Sequence, residues 1–168
     1  MGIGRVKCGA IALLLFGTAP ALADPSAKVL IQEKQWDAEI LSYDDGTFAC
    51  LAQVDLADRT FTIWSYPDRA VRLQFYAPGW DFGADHRVRY EVAVDAGPAR
   101  VMTAQAFKNS ILFDVPTGES WVDFLYDVTL GRVLYLRDAA GAAAMDYPLA
   151  GSGAALAALI QCGAAIAG

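Results

Sequence analysis

From Gln35 to Val115 apolar residues recur at every second position, and the run is broken about every ten residues by Asp, Gly or Pro. No other feature constrains the fold as much. Period two sends alternate side chains to opposite faces of a strand, so the stretch predicts consecutive antiparallel strands, each burying one side. Trp36 to Ile40 leads to the turn Asp44-Asp45-Gly46 and on to Thr47-Phe48-Ala49-Cys50-Leu51-Ala52, a strong hairpin pattern. A second hairpin runs from Arg59-Thr60-Phe61-Thr62-Ile63-Trp64 through Tyr66-Pro67-Asp68 to Ala70-Val71-Arg72-Leu73-Gln74-Phe75. Ala77 to Asp85 holds Pro78, two glycines and two aspartates and is read as a loop. Arg87 to Val94 alternates cleanly, Asp95 to Pro98 turns the chain into Ala99 to Phe107, and Lys108-Asn109 turns it into Ile111 to Val115. Pro116, with no N–H to give a ladder, ends that strand.

The period then changes. Trp121, Phe124, Leu125 and Val128 stand at helical spacing, with Ser120 and Asp123 in a capping-box arrangement and Gly131 placed to stop the helix. This predicts a helix of about ten residues lying on the sheet. Arg132 to Arg137 is again a strand, and Ala142 to Leu149 is its partner across a turn at Gly141. Gly151-Ser152-Gly153 opens a final Ala/Leu-rich helix, with Ser152 as its cap, Leu156, Leu159 and Ile160 as its sticky face and Cys162 near its end. The expected fold class is mainly β (α+β), an antiparallel β-sandwich or half-open barrel with one helix on the sheet and a disulfide-tethered C-terminal helix. Residues 35–168 form one domain, and residues 24–34 a flexible arm.

Residues 1–23 have the layout of a secretory signal peptide. Arg5 and Lys7 supply the basic start, Ile11 to Phe16 the apolar run and Ala21-Leu22-Ala23 the cleavage site. The apolar run is too short to span a membrane, and Cys8 precedes it, so it is not the lipid-modified cysteine of a lipoprotein. The expected location is the periplasm or the medium, with no stable membrane insertion after cleavage. Cleavage leaves Cys50 and Cys162 in an oxidising setting, and they are expected to pair. The bridge closes a loop of about 110 residues, worth roughly 4–5 kcal/mol in the chain-entropy model. A reactive thiol or a metal pair is disfavoured, because there is no Cys-x-x-Cys spacing and the chain has 1 histidine. The formal charge is −6, and removing Arg5 and Lys7 makes the remainder more acidic still. A nucleic-acid partner has no electrostatic footprint here.

Two features together resemble small exported proteobacterial proteins. One is a Trp ahead of a Cys in a hairpin, Trp36 and Cys50, and the other is the stretch Tyr147 to Cys162, an aromatic-x-Leu-x-Gly-Ser sequence running through an Ala/Leu helix to Cys. The pattern is similar to invasion-associated-locus-B-type proteins and to accessory proteins encoded beside type VI secretion systems. The resemblance implies a periplasmic β-sheet protein with bonded cysteines and brings no catalytic residues with it.

Candidate chemistry is sparse. Gly151-Ser152-Gly153 lacks the G-x-S-x-G spacing of a nucleophile elbow, and His86 is the only histidine available as its base. Asp81, Asp85 and His86 share a loop but match no calcium or zinc pattern, so no metal and no cofactor is expected. Carboxylate pairs carry no information in a chain with 19 acids. Trp36, Trp64 and Trp121 are expected in the core, and Trp80, between Gly79 and Asp81, on the surface. The expected function is a non-catalytic binding or accessory module that contacts an envelope or partner protein through Tyr76, Trp80, Asp81, Asp85 and His86. The alternatives are a small hydrolase-like enzyme with an unrecognised site, or an inhibitor of an envelope enzyme.

Overall fold

The computed structural model describes residues 25–138 and 143–168. Its strands are β1 (Ser26–Glu33), β2 (Trp36–Ser42), β3 (Phe48–Leu56), β4 (Arg59–Ser65), β5 (Val71–Tyr76), β6 (His86–Val94), β7 (Arg100–Phe107), β8 (Ser110–Asp114), β9 (Val133–Asp138) and β10 (Ala143–Pro148). Helix α1 spans Glu119–Leu130, between β8 and β9, and α2 spans Ser152–Ile166. All described strands belong to one sheet in the order β1-β2-β3-β4-β5-β8-β7-β6-β9-β10, and every neighbouring pair is antiparallel. Three meanders, β1 to β5, β6 to β8 and β9 to β10, are therefore joined along two non-sequential seams, β5 with β8 and β6 with β9.

The turns follow the sequence. Gly46 takes φ +81° in the β2–β3 turn, where a side chain would be strained, and donates its N–H to Tyr43 O at 3.0 Å. Asp95 fixes the end of β6 to the start of β9: its carboxylate accepts the N–H groups of Arg132 and Val133, while its own N–H donates to Val133 O at 2.9 Å.

The sheet curls. In strand order β10 is far from β4 and β5, yet the Tyr147 ring lies 5.7 Å from Phe61 and 5.8 Å from Phe75. Trp36 of β2 donates its Nε1–H to Pro148 O at 2.9 Å. These contacts bring the two flanks of the sheet around one core without closing it, which is the half-open form of the expected architecture. Phe61 stacks on Phe75 at 4.9 Å, and Trp36 meets Phe61 edge-on at 6.0 Å. Such pairs add specificity to area burial.

Helix α2 lies along β1, β2 and β3 on the inner side, and α1 packs against α2 and β6. Cys50 of β3 and Cys162 of α2 form the expected disulfide, with a Cα–Cα distance of 6.0 Å. Phe124 and Val128 give α1 its buried stripe, as the spacing predicts. At the other end of α2, Gly151 has φ +108°, and a Cβ there would stand 2.2 Å from Glu33 O. Only glycine lets the helix start so close to the β1–β2 turn.

Several expectations are corrected. Residues 26–33 are not a flexible arm but β1, paired with β2 from Ser26↔Ser42 to Glu33↔Trp36. The strand was hidden because most of its residues stay exposed and its turn uses Lys34 at φ +57° in place of a glycine. Trp64 sits on the outer face, half-buried, because Phe61 and Ile63 take the inner face and the neighbouring position must point away. Ser120 does not cap α1: the helix starts one residue earlier, after Gly118, and makes no side-chain cap bond. Gly151 precedes α2 in place of the expected Ser152 cap. Ile160 is 71% exposed and does not share the buried face of Leu156 and Leu159. The expected turn at Gly141 and the expected signal peptide lie outside the described residues.

Candidate functional site

β5 releases the chain at Tyr76, and the loop from Ala77 to Asp85 is pinned along its length to the β7–β8 turn. Ala77 N–H donates to Asn109 O at 3.1 Å, Phe82 N–H to Lys108 O at 2.8 Å, and Lys108 N–H to Gly83 O at 3.3 Å. The Asn109 side-chain amide adds bonds to Pro78 O, at 3.1 Å, and to Trp80 O. Lys108 at φ +51° and Gly83 at φ +65° give the bends that these bonds need. A loop held in this way loses little further entropy when it binds something.

Trp80 is half-buried and packs against the core, with its ring 5.2 Å from Phe82 and 6.5 Å from Tyr90. It forms the floor of the loop more than its surface. Burial, with a smaller contribution from the nearby Asp138 charge, pushes the Tyr90 hydroxyl pKa up, so the phenol stays protonated. The exposed groups stand around this floor. Tyr76 is 39% exposed and Phe107 44%, and Lys108 Nζ lies 5.0 Å from the Phe107 ring. Asp81, Asp85 and His86 are all exposed. Asp81 Oδ1 accepts Gly83 N–H at 3.2 Å, Asp85 accepts a bond from the Gln105 amide, and His86 Nδ1 is 2.9 Å from Ala84 O. Their polar atoms thus help to shape the loop. Together they make a rigid end surface with apolar side chains and both signs of charge.

The five loop residues singled out in the sequence are therefore brought to one end of the sheet, Trp80 beneath and the others around it. Among the described residues no group of three or more His, Cys, Asp or Glu side chains could hold a metal ion. Ser152 is buried, and its hydroxyl donates to Val128 O at 2.7 Å, which ties α2 to the last turn of α1.

Sequence reasoning missed a second feature at the opposite end of β4 and β5. An apolar trough of about 310 Å³ opens between α1, α2 and the inner face of these strands, walled by Ile63, Val71, Leu125, Leu156 and Leu159. Val122, Tyr126 and Ile160 stand exposed around it. Val122 and Tyr126 lie four residues apart, a second apolar stripe on α1 that was visible in the sequence beside the buried one.

No protein-family model matches the sequence, and no curated protein matches it. Among solved structures the fold matches the crystal structure of invasion associated protein B from Bartonella henselae, with a TM-score of 0.54 and 13% identity over 82% of this chain and 97% of that chain. The resemblance read from Trp36, Cys50 and the stretch Tyr147 to Cys162 is thus met at the level of the fold. Among the described residues no helix is long and apolar enough to cross a membrane, and the bonded cysteines fit an oxidising setting.

Proposed function

We propose that this protein is an exported, non-catalytic binding module that contacts an envelope protein through the Tyr76–His86 end of its sheet. One observation carries the reading: the loop is fixed to the β7–β8 turn by backbone and Asn109 bonds, while Tyr76, Asp81, Asp85 and His86 remain exposed on it. Preorganised aromatic and charged groups are what recognition of a protein surface uses. General acid–base catalysis more often has its carboxylates and histidine held in a water-excluded cleft, where their proton affinity is tuned. The fold shared with an invasion-associated protein supports a role in contact, and the acidic chain keeps the free module soluble.

The test is mild crosslinking of the protein in its native envelope. The wild type is compared with a Tyr76→Ala/His86→Ala variant and with a control variant, Val29→Ser, on the exposed face of β1. A crosslinked species lost in the loop variant and kept in the control supports the reading. A species kept in both, or turnover of an envelope substrate that the loop variant abolishes, overturns it.

A further inference from the structure

The trough beside α1 and α2 continues into a second hollow of about 320 Å³, lined by Ser65, Arg69, Ile160, Gly163 and Ala164. The two share Ser65 and Ile160 as common walls. The first hollow has no charged side chain in its lining, and its volume lies at the low end of ordinary small-ligand sites. The second has one, Arg69, and among the described residues no carboxylate pairs with it. We propose that the joined hollows bind a single-chain anionic amphiphile of the fatty-acid class, with its tail in the apolar trough and its carboxylate at Arg69 and the Ser65 hydroxyl.

The polarity of the two hollows fixes the orientation. Ile63, Val71, Leu125, Leu156 and Leu159 offer the tail carbon surface alone, and the Thr129 hydroxyl in the same lining already donates to Leu125 O at 2.9 Å. The head meets a cation whose backbone is held in place, since Arg69 lies in a turn closed by its own N–H to Tyr66 O at 2.9 Å, while its side chain is exposed. The carboxylate next in sequence is turned to the backbone: Asp68 Oδ1 accepts Ala70 N–H at 2.9 Å, and the Gly163 carbonyl is occupied by Ala167 N–H at 3.1 Å. The other two cations on this hairpin are paired, Arg72 with Asp114 at 2.6 Å and Arg59 with Asp58 at 2.8 Å. A tail without a head would leave Arg69 unused, and a cationic head would be repelled by it.

The experiment is calorimetric titration of the whole protein with octanoate, decanoate and dodecanoate below their micelle concentrations, with dodecyltrimethylammonium as the cationic control. One-to-one binding should tighten by about four-fold per added methylene until the trough is full. Arg69→Ala should weaken dodecanoate binding about ten-fold, the worth of one exposed charge-assisted contact. Ile160→Asp, at an exposed position that the fold does not need, should abolish it. No binding of any carboxylate, equal binding of the cationic amphiphile, or unchanged binding in Ile160→Asp overturns the proposal. Retention of binding in Tyr76→Ala/His86→Ala keeps it separate from the reading of the loop.

Discussion

The outer face of the sheet carries a row of polar side chains across β2, β3 and β4, and at Asp37 the row bears a cost. Gln53 donates to Asp37 Oδ2 at 3.2 Å. Partial burial nonetheless raises the Asp37 pKa above 3.8, the Gln53 bond lowers it by less, and the Asp55 charge raises it further. A carboxyl with a raised folded-state pKa holds its proton more tightly folded than unfolded, so stability is lost as pH rises above 3.8 through the folded value. Glu39 adds to the same trend, raised from 4.5 by burial and then by the Asp37 charge. Asp37→Asn keeps an acceptor for Gln53 and removes the charge. We predict that the variant is more stable than wild type at pH 7 and that the two converge toward pH 3, measured as urea midpoints across that range. A variant less stable at pH 7 would show that the carboxylate is stabilised and not strained. None of this was legible in the sequence, where Asp37 is merely the polar member of an alternating pair; the cost arises chiefly from the partial burial that the fold imposes, with a smaller part from Asp55, which the β2–β3 register brings close.

The two helices depend on each other more than on their own caps, since neither starts with a side-chain cap bond. The Val128 carbonyl belongs to the last turn of α1, where it has no partner within the helix. The Ser152 hydroxyl supplies one from the first turn of α2. Thr129 O lies near Gly153, where a Cβ would come within 3.2 Å of it, so the crossing is close as well as bonded. We predict that Ser152→Ala, which leaves a buried acceptor bare, costs about 1–3 kcal/mol in urea unfolding. Ser152→Gly should cost at least as much, because it also loosens the helix start. A neutral Ser152→Ala would mean that water reaches Val128 O. The existence and approximate place of both helices were legible from period and composition. Their ends were not, because the Ser-x-x-Asp pattern at Ser120 marks a local preference, and the chain after Pro116 instead enters α1 at Gly118. The loop site was legible as a loop from Pro78, Gly79 and Gly83. Its rigidity was not, since that depends on Asn109, about thirty residues further along the chain.

At the scale of the whole molecule, the strands were readable and their order was not. Period two reports which side of a strand is buried and says nothing about which distant strand lies beside it. The pairings of β5 with β8 and of β6 with β9 rest on inner-face matches such as Leu73↔Phe113 and Val92↔Leu136, between residues far apart in the chain. β7 pairs with β8 from Gln105↔Leu112 to Phe107↔Ser110, whereas it pairs with β6 from Val92↔Arg100 to His86↔Ala106. That short ladder makes the β7–β8 hairpin the inner join of the sheet expected to open first, while β3 and β4, with residues buried on both faces, are expected to open only with the whole fold. The disulfide acts on the second process alone. Its 112-residue separation restricts the unfolded chain, which is worth roughly 4–5 kcal/mol, equal to about three decades in an equilibrium constant. Native-state hydrogen exchange of wild type and of Cys50→Ser/Cys162→Ser separates the two processes. The amides of β3 and β4 should lose about three decades of protection in the variant, while those of the β7–β8 seam should exchange at the wild-type rate until global opening becomes the easier route. If β3 and β4 lose much less, the bond is not a restraint on the unfolded chain, and the core of Trp36, Phe61, Phe75 and Tyr147, with α2 lying along β1 to β3, holds the sheet curled without it.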